Sequence, residues 1–110
     1  MKDINTKIKH YYAFEVRFEK KGDMKYISHL DVMRLFERAI RRAEIPAFIT
    51  KGFSPHIKIS IKKALKLGVE SDNEIAYFYL TRLLAPEVIM DKLNKELPDG
   101  IKIVGAKEYT

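Results

Sequence analysis

Tyr12, Phe14, Val16 and Phe18 occupy every second position of "YYAFEVRFEK", with Tyr11, Ala13, Glu15 and Arg17 between them. Strict alternation places the two sets on opposite faces of an extended chain, so residues 11–20 are expected to form a half-buried strand ending in the turn "KKGD". "EIAYFYLTR" repeats the pattern, with Ala76, Phe78 and Leu80 alternating against Ile75, Tyr77 and Tyr79. Two one-sided strands must bury their apolar faces against another layer.

The intervening segments change period. From about Ser28 to Glu44, Val32, Phe36, Ala39, Ile40 and Ala43 recur at helical spacing with no proline or glycine, which predicts a helix. Pro86, suited to a first helical turn, opens "PEVIMDKLNKEL", a second amphipathic helix with Ile89, Leu93 and Leu97 in line. "PDG" ends it, and "IKIVGAKEY" is a last strand. "PAFIT" and "IKISI", separated by the turn-forming "KGFSP", are strand-like and form either one bent strand or two; "KLGVESDN" is expected to be a loop. The order strand, helix, strand, strand, helix, strand predicts an α+β, ferredoxin-like split βαβ sandwich. Its four antiparallel strands carry two helices on one face, with an extra hairpin allowed between residues 46 and 72.

At 110 residues the chain has the length of one domain, expected over residues 11–110 behind a flexible segment 1–10. It has no cysteine, which excludes disulfides, thiolate zinc sites and protein-ligated iron–sulfur clusters within it, so no cofactor is expected and a reducing cytoplasm suits it. The polar N-terminus does not resemble a signal peptide, and no apolar run approaches membrane-spanning length.

Charge is concentrated. Ile45 to Val69 contains no acidic residue, and Lys51, Lys58, Lys62, Lys63 and Lys66 contribute +5 of the net +6. Such a segment is either a footprint for a polyanion or a lysine-protected sheet edge. Arg34, Arg38, Arg41 and Arg42 share the outer face of the first helix, where a solvated stripe is the simpler explanation.

"YISHLDVMR" holds a serine, a histidine and an aspartate within four positions, yet neighbours on a helix diverge by about 100° each and cannot converge as a triad. Ser28 is instead a good N-cap, and Asp31 three residues later gives a capping-box-like pair. That leaves Tyr26 and His29 to be explained. In this topology the first helix starts where the second strand ends, so it should meet either "KGFSPH", with Lys51, Phe53, Ser54 and His56, or "KKALKLG". Either neighbour brings lysines to a helix N-terminus, an arrangement that favours anions. His29 and His56 are the candidates for acid–base chemistry, or for holding a metal with Asp31, although no spacing is diagnostic and no metal is assigned.

The second candidate surface is the sheet face turned from the helices, with Tyr11, Arg17, Tyr77 and Tyr79 on the two strands expected to be central. Aromatics there resemble the base-stacking surface of a common RNA-binding sheet, without that module's glycine-rich consensus. Packing against another domain or subunit is the competing explanation.

"KYISHLDVMRLFERAIRRAEIPAFITKGFSPHIKISI" followed by "LKLGVESDNE" resembles the radical-SAM-linked protein family, a bacterial domain of unknown function found fused to, or encoded beside, radical SAM proteins. The resemblance runs from about Phe14 to the C-terminus. Its motifs fall on Ser28, His29, Asp31, Arg34, Arg38, Gly52, Phe53, Ser54, Pro55, His56, Gly68, Glu70 and Ser71. It implies a radical SAM protein as partner, that partner holding the cluster, and a chain corresponding to the first half of a longer protein. The function expected is an accessory module that binds RNA or another polyanionic substrate through Tyr26, His29, Arg34, Arg38, Lys51, Phe53, Ser54, His56, Lys58, Lys62 and Lys63. The alternatives are a protein-interaction or homodimerisation adaptor and, less favoured, a histidine-dependent nuclease or metal enzyme.

Overall fold

The structure, a computed structural model, describes residues 11–109; the expected flexible segment 1–10 lies outside the described residues. Its elements are β1 (Tyr12–Lys20), α1 (His29–Arg42), β2 (Ile59–Ile61), β3 (Ser71–Leu80), α2 (Pro86–Asn94) and β4 (Ile101–Glu108). The four strands form one antiparallel sheet in the order β2-β3-β1-β4. This is the ferredoxin-like split βαβ arrangement expected from the alternation of periods.

Period-two burial sends Phe14, Val16 and Phe18 of β1, Ala76, Phe78 and Leu80 of β3, and Ile101 and Ile103 of β4 into one core. They meet Val32, Phe36, Ala39 and Ile40 of α1 and Ile89 and Leu93 of α2 there, so both helices cover the same face. Phe36 is the centre, edge-on to Phe18 at 5.0 Å and to Phe78 at 5.4 Å. Such aromatic pairs contribute about 0.5–1.5 kcal/mol beyond the area they bury.

The helix ends have local causes. Ser28 Oγ accepts the Asp31 N–H at 3.1 Å, as expected of an N-cap. The Asp31 carboxylate, however, turns to Arg34 at 3.1 Å, so half of the anticipated capping box is observed. At the C-terminus the Glu44 N–H donates to the Arg41 carbonyl and the Ile45 N–H to the Ile40 carbonyl, a Schellman closure that stops α1 at Arg42, short of the expected Glu44. Glu44 has φ of 57° there, in the left-handed region that glycine normally fills. The regular part of α2 likewise ends at Asn94, before Leu97.

Two loop expectations are corrected. β3 begins at Ser71 rather than after the "GVESDN" loop, because Ser71 pairs with Lys20 and the backbone ladder outweighs the poor strand propensity of Asp72 and Asn73. "PAFIT" and "IKISI" are neither one smooth strand nor two neighbours. Ala47 bridges Leu80, Ile59 pairs with Phe78, and both run antiparallel to β3, so they are two pieces of a single edge strand. Between them the chain leaves the sheet as a narrow hairpin, closed by the Ile49–Ile57 bridge and by N–H bonds from Thr50 to the His56 carbonyl and from Lys58 to the Phe48 carbonyl. The extra hairpin expected between residues 46 and 72 is this excursion.

The sheet thus has two distinct ends. One, the hairpin end, carries residues 49–57 beside the end of β3. The opposite, motif end gathers the end of β1, a 3-10 turn at Gly22–Tyr26, the start of α1, the 62–70 loop and the "PDG" turn. Gly100 holds that turn in place: its φ is 97°, its carbonyl accepts the Lys21 N–H at 2.8 Å, and a Cβ would lie 2.7 Å from the Lys21 carbonyl oxygen.

Candidate functional site

At the motif end, His29 meets the "KKALKLG" segment, and its Nδ1 accepts the Leu65 N–H at 3.2 Å. The proton of the neutral ring is then on Nε2, and the imidazole ties α1 to the 62–70 loop. Beside it lies a residue that the sequence reading passed over. Lys20 continues the inward phase of Phe14, Val16 and Phe18 and is 1% exposed; its Nζ donates to the Lys66 carbonyl at 2.6 Å and approaches the Lys25 carbonyl at 3.5 Å. The Gly68 N–H bonds the same Lys25 carbonyl at 2.6 Å, and Glu70 Oε2 accepts the Gly22 N–H at 2.7 Å. "SHLD" and "GVES" are therefore neighbours in space, and the polar groups joining them are engaged in bracing two loops.

His56 lies elsewhere. It braces the hairpin from within: its backbone N–H donates to Thr50 Oγ1 at 3.1 Å and its Nδ1 to the Ser54 carbonyl at 2.9 Å. From Ile57 to Ile61 alone the edge strand spans about 13 Å at ~3.3 Å per residue. His29 and His56 consequently sit at opposite ends of the sheet, so the two candidates for acid–base or metal chemistry are not brought together. Among the described residues, no three His, Asp or Glu side chains converge as metal ligands would.

The residues proposed for binding divide among four places. Tyr26, His29 and Arg34 are at the motif end. Arg38, with Arg41 and Arg42, lies on the exposed outer face of α1, on the far side of the core from the open sheet. Lys51, Phe53 and Ser54 are exposed at the hairpin tip. Lys58, Lys62 and Lys63 follow the β2 edge.

Among the described residues, the open sheet face is where aromatic and cationic side chains gather into one surface. Tyr11, Tyr77 and Tyr79 do point away from the helices. The register sets Tyr79 beside Ala13, Tyr77 between Ser60 and Glu15, and Ile75 beside Arg17, with Lys107 across from Glu15 and Gly105 across from Arg17. Tyr11 packs edge-on to Tyr79 at 5.1 Å and to Phe48 at 5.3 Å, while Tyr77 meets Tyr109 at 4.9 Å. Lys58 Nζ lies over the Tyr79 ring at 4.9 Å and 5.8 Å from the Tyr11 centroid, a cation–π arrangement.

Beyond the tyrosines the face becomes a groove of 480 Å³ lined by Glu15, Arg17, Asn73, Ile75 and Lys107. Arg17 lies across Gly105, where a Cβ would come within 3.0 Å of its Nη2. Lys62 borders the adjoining hollow with Asn73 and Ile75. Five cations, Lys58, Lys62, Arg17, Lys102 and Lys107, thus share this face with two carboxylates, Glu15, which lies 3.8 Å from Lys107, and Glu19, which pairs across the sheet with Lys102; Glu74 also lines the adjoining hollow. The Tyr77 phenol is held above its ordinary value, first by desolvation among its neighbours, then by the Glu15 carboxylate and by Tyr109 and Tyr79. It stays a neutral hydrogen-bonding group through physiological pH.

Phe48 and Tyr109 complete this surface and were not singled out from sequence. Their contacts depend on the edge-strand excursion and on the β4 register, neither of which has a local signal.

A family described as an uncharacterized protein conserved in bacteria (DUF2344) matches residues 14–110. The chain belongs to that family. A comparison with the curated proteins finds no match. The DUF2344 match covers the motif end and the whole groove of the open face; of the aromatic cluster, Tyr11 alone precedes it. No helix of the described part of this DUF2344 chain is long and apolar enough to cross a membrane.

Proposed function

We propose that this domain is a non-catalytic, cytoplasmic module that holds single-stranded RNA on its open sheet face for a radical SAM enzyme, encoded beside it or fused to it. The observation that carries the RNA reading is Lys58 lying over Tyr11 and Tyr79, in a face where five cations meet two carboxylates. Every base offers a π-face to a tyrosine, and cations along the same strands suit the phosphates between bases. Lys51, beyond one end of this face, and Lys63, beyond the other, extend the positive track along the sheet edge. The link to a radical SAM enzyme rests on the motif resemblance; these 110 residues hold no cysteine to ligate a cluster, so in this proposal the partner carries it.

The test is fluorescence anisotropy of a labelled 12-nucleotide RNA titrated at several salt concentrations. Counterion release at three to four phosphates gives a log K against log[salt] slope of about −2 to −3, and Lys58→Ala should flatten it by about 0.7. Tyr79→Leu keeps an apolar side chain at the position but removes a stacking surface, and should weaken binding by about 1–3 kcal/mol. Absence of binding at about 50 mM salt refutes the proposal. A salt-insensitive homodimer, or a stable complex with the enzyme formed without RNA, would put the adaptor reading in its place. Cleavage of the RNA that is lost in His29→Ala would favour the nuclease.

A further inference from the structure

The motif end carries a feature that the sheet-face reading does not use. Tyr26, Leu30, Leu67 and Val69 are 63%, 56%, 66% and 49% exposed, four large apolar side chains at one end of the molecule. They come from three segments: the 3-10 turn, the first turn of α1 and the 62–70 loop. These segments are bound together at short range. Gly68, between Leu67 and Val69, bonds the Lys25 carbonyl next to Tyr26, and His29, next to Leu30, bonds Leu65. Beneath them, the buried Lys20 ammonium takes the Lys66 carbonyl.

Exposed loop residues that serve no purpose are normally polar and loosely held. Here a buried cation and several cross-loop hydrogen bonds keep apolar side chains turned to solvent. That combination lowers the ordering cost of association and marks an interaction surface.

We infer that the motif end is a docking site for a different protein, one that offers an apolar patch bordered by carboxylates. The charge around the patch selects this occupant. Lys25, Lys63 and Lys66 stand in these same segments against one further exposed carboxylate, Asp23, while Asp31 is engaged with Arg34 and Glu70 with the Gly22 N–H, so cations are in excess around the patch. A second copy is disfavoured because a two-fold contact would set the lysines of one patch against those of the other. The inference does not require RNA binding, whose tyrosines and cation rows lie on the open sheet face; Lys63 alone is shared with the positive track proposed there.

The test places a photocrosslinking amino acid at position 67 of the full chain in its native cells, with position 38 on the α1 outer face as control. One protein should be captured from position 67 and not from position 38, through a peptide that is apolar with Asp or Glu flanking it. With that protein purified, titration calorimetry should show Leu30→Ser and Leu67→Ser each weakening the Kd by about tenfold, and Lys66→Glu by a factor that shrinks as salt rises. These three side chains are exposed, so unchanged melting temperatures separate lost docking from misfolding. Capture of a second copy, of RNA or of nothing, equal capture at both positions, or retention of the chain on anionic phospholipid vesicles overturns the inference. Each of these results leaves the oligonucleotide titration unaffected, so the two readings fail separately.

Discussion

Glu44→Gly should make the protein more stable, and the size of the gain follows from the closure of α1. Glu44 is at the position after the helix cap, with φ of 57° and its N–H on the Arg41 carbonyl. An L-residue in left-handed backbone costs about 1–2 kcal/mol, from the approach of Cβ to the following carbonyl oxygen. Glycine removes that cost and returns about 0.5–1 kcal/mol of it through the greater freedom of the unfolded chain. The carboxylate also stands at the negative end of the helix dipole, and its removal adds about 0.3–1 kcal/mol at low ionic strength. Glu44 is exposed, and no ion pair among the described residues involves it, so little is lost in exchange.

The net expectation is a gain of about 1 kcal/mol, or a rise of about 4 °C in Tm for a domain of this size. Urea denaturation should show a higher midpoint with an unchanged slope. Glu44→Ala separates the two contributions, since alanine loses the carboxylate but keeps the left-handed penalty; it should recover less than half of the gain. If alanine and glycine are equivalent, the backbone at residue 44 is not left-handed and the Schellman account of the helix end is wrong.

Asn94 at the end of α2 donates from Nδ2 to the Ile103 carbonyl at 2.9 Å and accepts the Ile103 N–H at 2.8 Å. Asn94→Ala leaves both groups of a buried residue unpaired and should cost about 2–3 kcal/mol, measured by chemical denaturation, with the fastest amide exchange appearing in β4. The raised Tyr77 value has an alkaline consequence. Between the unfolded value near 10 and the higher folded value the unfolded chain holds fewer protons, so stability falls as pH rises through that window and is fully present below it. Tyr77→Phe should remove that part of the alkaline loss in melting curves taken from pH 8 to 11; a parallel fall in both proteins would contradict the placement of Tyr77 beside Glu15.

The periods of β1, α1, β3 and α2 were legible because each rests on local alternation around one core, and Phe14, Phe36, Phe78 and Ile89 are buried as that pattern requires. The edge strand was ambiguous because its two halves are joined only through β3: nothing near Ala47 in sequence says that Leu80 will pair with it. At the motif end the Ser28 cap was legible, while the choice between "KGFSPH" and "KKALKLG" as neighbour of the helix start was not. A histidine, an aspartate and a serine in one short run suggest chemistry, but His29 bonds a backbone N–H 36 residues away. Lys20 shows the opposite failure. Its phase pointed inward, yet a lysine after three apolar residues is ordinarily read as the place where a strand reaches solvent.

The acid-free lysine run shows how strand period decides what a charge cluster does. Five lysines between Lys51 and Lys66 are one patch in sequence, but Ile57, Ile59 and Ile61 pack on the helix side, so Lys58, Ser60 and Lys62 turn to the open face. Lys51 leaves with the hairpin and Lys66 with the motif-end loop. The same Ile59–Phe78 register that buries two apolar side chains also brings Lys58 to Tyr79. A slip of one residue would exchange the two sets, driving Lys58 and Lys62 into the core and the isoleucines to the surface. The hydrophobic energy that fixes the edge strand therefore also fixes the cation–aromatic surface, and β2 can be as short as three residues without leaving that surface undefined.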